Sequence, residues 1–192
     1  MITTSWSRLP LAEAEKLSAE LVELLSPVCV QLVVCGSIRR KADTVGDIDL
    51  VCEPQYAESL DIFGEPIATV DTLAVRCDNL ERDGVLAKRR DRNGRSSWGP
   101  ALKRAVFRNL PVDIQIVTDP DVWGAWVLVR TGPADFNKRV VTPMFHGGWL
   151  PKGMKFRDGF QLWRGDSRIP TPTEEDVFRA LSLQYIRPED RR

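Results

Sequence analysis

The chain has 192 residues, with 27 basic and 27 acidic side chains and an apolar fraction of 43%. That length supports one domain, or one domain with a small appended lobe, and a sizeable core. No apolar run approaches the roughly 20 residues that would span a bilayer, and MITTSWSRLPLAEAEK lacks the basic head and apolar stretch of a secretion signal. An intracellular protein with no membrane partner is expected.

Taken in chain order, Leu11 to Leu25 (LAEAEKLSAELVELL) has helical apolar spacing and follows Pro10, which suits a helix start. Val28 to Cys35 is β-rich and ends at Gly36-Ser37, with Ser37 placed to cap a short helix through Ile38 to Lys41. Ile48 to Cys52 reads as a second strand closed by Pro54. Residues 55–84 are expected to hold a helix, a strand around Ile67 to Val75 and a turn. Strands follow at Val85 to Arg90, Lys103 to Phe107 and Val112 to Val117, with the polar loop DRNGRSSWGP and a turn at Asn109 separating them. Asp121 to Arg130 is apolar and Trp-rich, and its Trp123 and Trp126 read as lobe core. Thr131-Gly132-Pro133 breaks that run, and Ala134 to Val141 reads as a helix. Gly147 to Ile169 has hairpin character, with His146, Gly147 and Gly148 in a turn. In TPTEEDVFRALSL, Thr173 caps a last helix with Asp176 at the capping-box position. The fold class is α+β, a mixed sheet with helices over residues 1–120 and a small α+β lobe over 121–192.

Two residue types limit the chemistry. His146 is the only histidine, which argues against Ser-His, Cys-His and His-rich metal chemistry, because these need an imidazole beside a nucleophile or an ion. Cys29, Cys35, Cys52 and Cys77 show no CxxC spacing, and free buried thiols are expected. Catalysis must then come from carboxylates, cations and a metal they hold. CGSIRRKADTVGDIDLVCEP supplies these parts. In a strand, Asp47 and Asp49 project from one face about 6.6 Å apart, a spacing that lets two carboxylates converge on a hard cation. Such a pair is costly without a cation, and Mg²⁺ prefers this oxygen donor set. Asp113 in LPVDIQIV is a third acid in an aliphatic strand, on one face with Gln115. Upstream, a strand ending in Gly36-Ser37 ahead of a helix aims N–H groups at an anion, and Arg39 or Arg40 can fork onto phosphate oxygens. Gly46 allows a tight turn before Asp47. A salt-bridged surface loop is the plainer reading of the same residues; the combination favours a metal-bound triphosphate.

GSIRR, then VGDIDLV, then VDIQIV resembles the DNA polymerase beta-like nucleotidyltransferases, and specifically the family X DNA polymerases. Arg8-Leu9-Pro10, the segment RTGPADFNKR and the ending TPTEEDVFRALSLQYIRPEDRR extend the likeness from residue 8 to the C-terminus. The resemblance implies a nucleotidyltransferase palm and a C-terminal nucleotide-selection subdomain. It implies two Mg²⁺ or Mn²⁺ ions held by Asp47, Asp49 and Asp113, with Asp113 helping to activate the primer 3′-hydroxyl. It implies triphosphate contacts from Gly36, Ser37, Arg40, Gly46 and Arg8. Val129, Arg130 and Gly132 then lie along the nucleotide, and Asn137 near its base. The implied partners are nucleoside triphosphates and primed or gapped DNA, the reaction is dNTP addition in short gap filling, and the state is monomeric.

Three departures stand out. The family's aromatic pair before the TG is Val129-Arg130, which leaves sugar discrimination open. The family's acidic residue is Ala134, with Asp135 shifted by one. There is no room for the lyase and helix-hairpin-helix domains, which by analogy suggests a viral or phage enzyme. DNA contact is therefore expected from the basic segment Lys88, Arg89, Arg90, Arg92, Arg95, Lys103, Arg104 and Arg108, with Trp98 stacking on a base or packing on the sheet. Alternative readings are a nucleotidyltransferase acting on RNA, protein or a small molecule, and a vestigial nucleic-acid-binding module.

Overall fold

The computed structural model describes residues 6–91 and 93–191, so Arg92 lies outside the described residues. In chain order the elements are β1 (Leu9–Pro10), α1 (Leu11–Leu25), β2 (Cys29–Val34), α2 (Gly36–Arg39), β3 (Thr44–Val45), β4 (Ile48–Pro54), β5 (Tyr56–Leu60) and β6 (Pro66–Asp71). Then come α3 (Thr72–Arg82), β7 (Ala87–Lys88), β8 (Leu102–Phe107), β9 (Leu110–Ile116), α4 (Trp123–Thr131) and α5 (Ala134–Val141). The last are β10 (Met154–Arg157), β11 (Gln161–Arg164), β12 (Ser167–Ile169) and α6 (Glu174–Ala180). Mixed α and β elements around a mixed sheet are the expected α+β class. Among the described residues no helix is long and apolar enough to cross a membrane.

The chain divides into two compact units. One runs up to Val34 and resumes over Thr44–Thr118; the other takes Cys35–Asp43 and Asp119–Arg192. The first is built on a five-stranded sheet in the order β2-β4-β9-β8-β7, with β4 and β9 parallel and the other pairs antiparallel. Alternation decides its two faces. Ile48, Leu50, Val112, Ile114, Ala105 and Phe107 point to one side and are buried. The helices α1 and α3 pack against strands β2 and β4, burying Ala14, Leu21, Leu25, Leu73, Cys77 and Leu80. β8 and β9 are joined by a two-residue turn in which Arg108 and Asn109 have φ of 48° and 65°, the positive-φ pair that a twisted hairpin favours.

Residues 55–84 depart from expectation. They form a β5–β6 hairpin, and the strand stops at Asp71, whose carboxylate accepts from Ala74 N at 2.8 Å and caps α3. A helix cap thus claims residues up to Val75 that β-propensity alone assigns to a strand. The expected strand at Val85 to Arg90 shrinks to Ala87–Lys88.

The second unit has its own core of Leu128, Phe136, Val140, Leu150, Leu162, Val177 and Phe178. Trp123 is buried in this unit, and Trp126 meets Phe160 edge to face at 4.8 Å, so both tryptophans are lobe structure. The expected capping box is present at Thr173 and Asp176. All four cysteines are free and buried, and burial pushes the Cys77 thiol up to about 12.

Candidate active site

The parallel register of β4 and β9 sets Asp49 directly opposite Asp113. Neighbouring strands lie roughly 4.8 Å apart, so the two carboxylates start from adjacent backbone positions on one face of the sheet. Asp47 differs from expectation: β4 begins at Ile48, so Asp47 belongs to the turn before the strand rather than to its alternating face. Gly46 in that turn is there for close approach, because a Cβ would sit 3.2 Å from Arg8 Nη1. Arg8 is tied down by donating from Nε to Thr44 Oγ1 at 2.9 Å and from Nη2 to the Thr44 carbonyl at 2.6 Å.

Like charges facing each other across a ladder repel, and two cations answer that repulsion at Asp113. Arg89 Nη2 donates to Asp113 Oδ1 at 2.5 Å. Arg104, opposite Asp113 in the β8–β9 register, brings Nε to 3.4 Å from Oδ2, an ion pair without hydrogen-bond geometry. Both belong to the segment expected to contact DNA, and the structure turns them onto the carboxylate instead. Sequence reasoning missed this clamp, although a signal existed. The two-residue turn at Arg108-Asn109 fixes the hairpin register, and counting back from Phe107 and Leu110 puts Arg104 opposite Asp113.

The same alternation corrects another expectation. Lys103 faces the opposite side from Arg104 and is 4% exposed, with its Nζ 5.1 Å from the centre of the Trp98 ring. A buried ammonium is not a phosphate contact, so Lys103 leaves the DNA-binding group. Trp98 packs rather than projects: its Nε1 donates to Asp78 at 2.7 Å and Lys88 covers its ring at 5.2 Å. Lys88 also pairs with Glu81 at 3.3 Å, Arg90 donates to the Gly94 carbonyl at 2.9 Å, and Arg108 pairs loosely with Glu20 at 3.6 Å.

The second unit carries the remaining candidates. Gly36 opens α2 at φ 61°, a conformation that disfavours any Cβ. Ser37 is not the cap, since Cys35 takes that position and α2 already includes Gly36; the Ser37 Oγ is buried and makes no hydrogen bond. Arg40 donates to the Thr131 carbonyl, and its Nη1 lies 3.1 Å from where a Cβ on Gly132 would stand. Arg39 is fixed differently, with Nη1 donating to Thr131 Oγ1 at 2.7 Å and its guanidinium forking onto Glu174 at 3.0 and 2.9 Å. Glu174 also accepts from Arg191 at 2.8 Å and from the Tyr185 hydroxyl at 3.0 Å. Burial works to raise the Glu174 carboxyl, yet the Arg191 and Arg39 hydrogen bonds outweigh it and hold the carboxyl below its usual range. Asn137 donates from Nδ2 to the Val129 carbonyl at 2.7 Å and leaves Oδ1 buried without a hydrogen bond. Arg130 lies over the Trp126 ring at 5.4 Å.

Asp47, Asp49 and Asp113 offer only oxygen donors, which is the chemistry a hard divalent cation takes. Among the described residues they are not drawn together as a formed metal cluster. The donor set therefore fits Mg²⁺ or Mn²⁺ by chemistry and by the Asp49–Asp113 register, while Arg89 and Arg104 compete for Asp113.

Residues 8–101 match the family model for the DNA polymerase beta palm, and residues 126–192 match that for the DNA polymerase beta thumb. DNA polymerase lambda of Rattus norvegicus is 29% identical over 178 residues, covering 83% of this chain and 28% of that protein. The chain thus spans little more than a quarter of the length of that relative. Asp113 falls between the two matched stretches, so its place in the site rests on the strand register with Asp49. With palm and thumb matched in order along one chain, this protein belongs to the DNA polymerase beta-like nucleotidyltransferases of family X.

Proposed function

We propose that this chain acts as a DNA polymerase that adds nucleotides from dNTPs to a primer 3′-hydroxyl, filling short gaps. The observation that carries the reading is the register pairing of Asp49 with Asp113 on adjacent parallel strands, just after the Gly46-Asp47 turn. In this reading Asp47, Asp49 and Asp113 hold two Mg²⁺ or Mn²⁺ ions. Bound ions of this kind supply charge stabilisation at the attacking and leaving oxygens of an in-line phosphoryl transfer. Asp113 accepts the proton of the 3′-hydroxyl once Arg89 and Arg104 have yielded it. Ser37 Oγ, whose hydrogen-bonding capacity is unused within the protein, donates to a triphosphate oxygen, and Gly36, Arg40, Gly46 and Arg8 complete that contact. Val129, Arg130, Gly132 and Asn137 border the sugar and base. Lys88, Arg90 and Arg108 remain as phosphate contacts to DNA.

The test is incubation with Mg²⁺ or Mn²⁺, labelled dNTPs and a gapped, primed template, beside template-free and RNA controls. Templated extension that disappears in Asp113→Ala is expected. Labelling without a template would instead favour a transferase acting on another acceptor, and no transfer under any condition would favour a binding module.

A further inference from the structure

Two turn tips expose large apolar side chains, and their charge surroundings separate them. The β5–β6 hairpin tip exposes Ile62 and Phe63 by 92% and 82%, but its flanks carry Glu58, Asp61 and Glu65, and no basic residue occurs between Lys41 and Arg76. A phosphate backbone is repelled there. The second tip, in the turn over residues 142–150, exposes Met144 by 62% and Phe145 by 75%. From Asn137 to Arg157 the charged residues are Lys138, Arg139, Lys152, Lys155 and Arg157, with no acid among them.

We propose that Phe145 is a stacking contact for an unpaired DNA base, with Lys138, Arg139 and Lys152 attracting the adjoining phosphates. The turn is preorganised for this. Trp149 N donates to the Arg139 carbonyl at 2.8 Å, Leu150 N to the Thr142 carbonyl at 3.0 Å, and Met144 N to the Leu150 carbonyl at 2.9 Å. Gly147 takes φ 82°, and a Cβ on Gly148 would fall 2.0 Å from the Thr142 carbonyl oxygen, so the turn closes tightly. These bonds bring the chain of Arg139 beside that of Trp149, where the guanidinium covers the indole at 4.1 Å. Cations thus flank the base of the turn while its aromatic tip stands in water. The Phe145 and His146 rings are 4.2 Å apart at 49°, and a base stacked on Phe145 extends an aromatic pair that already exists. Cations beside an exposed aromatic are parts of the combination that holds single strands without reading their sequence.

The proposal rests on the polymerase reading for its choice of nucleic acid, and its test is separable from that reading. Fluorescence anisotropy on the whole chain compares labelled oligothymidylate with a blunt duplex of equal length over a salt series. Phe145→Ala is expected to weaken single-strand binding about tenfold, leave the salt slope unchanged, and leave the blunt duplex unaffected, while Phe145→Tyr keeps wild-type affinity. Lys138→Ala is expected to flatten the salt slope. Wild-type affinity in Phe145→Ala would overturn the contact and leave the tip to a protein partner; an equal loss on single strand and duplex would overturn it too. The polymerase reading fails by a different result, the absence of Asp113-dependent nucleotide transfer.

Discussion

At the scale of single residues, Asp113 is held by charge balance rather than by isolation. Arg89 and Arg104 offset its repulsion with Asp49, which makes them competitors of any divalent cation. Replacing both with Gln should therefore lower thermal stability without metal, by about 1–3 kcal/mol. The same variant should gain more in melting temperature on Mn²⁺ addition than the wild type does. Equal Mn²⁺ shifts in both proteins, read by differential scanning fluorimetry, would reject the competition. In the proposed reading, Val129 and Arg130 stand where the resemblance has an aromatic pair against the nucleotide sugar. Discrimination between dNTP and rNTP is expected to stay below about a hundredfold, some 2.7 kcal/mol. Steady-state incorporation of the two sugars checks this, and a larger preference counts against it.

At the scale of elements, α2 depends on one glycine. Gly36 at φ 61° admits no Cβ without strain, so Gly36→Ala should destabilise the second unit by about 1–2 kcal/mol in chemical denaturation. A neutral substitution would show that α2 relaxes freely. The hairpin of β8 and β9 shows how local chemistry reaches the site. Arg108-Asn109 sets the register, the register sets Arg104 on the Asp113 face, and alternation then buries Lys103. Part of this was legible in the sequence. The limits of α1, the capping box of α6 and the aliphatic alternation around Asp113 follow from spacing and cap chemistry alone. The start of β4 at Ile48 was legible, whereas the capture of Thr72–Val75 by α3 and the position of Ser37 inside α2 were not. Each is decided by a competing cap or backbone bond that propensity does not register.

At the scale of the whole molecule, the second compact unit carries a buried charge network of its own. Glu174 ties Arg39, Arg191 and Tyr185 together within the second unit, and its folded carboxyl lies below its ordinary value of 4.5. A lowered folded value means the network contributes fully above pH 4.5 and is lost as pH falls through the folded value. Glu174→Gln should cost about 3 kcal/mol at neutral pH and flatten the acid limb of the stability profile. An unchanged acid limb would assign acid sensitivity elsewhere. The candidate site could be named as a set of residues, but its geometry was not legible. Three acids and a Gly-Ser turn suggest the proposed chemistry, whereas the arginines on Asp113 come from pairings made across the sheet.

In the proposed function, Asp47, Asp49 and Asp113 perform metal-dependent nucleotidyl transfer onto a primed strand. The most direct measurement is single-turnover incorporation of a labelled dNMP into a one-nucleotide gap, comparing wild type with Asp49→Ala and Asp113→Ala in Mn²⁺ and in chelator. Incorporation should need Mn²⁺ and fall by at least about a thousandfold, some 4 kcal/mol in barrier, in either variant while both variants stay folded. Incorporation that persists in Asp113→Ala, or that ignores the chelator, would contradict it.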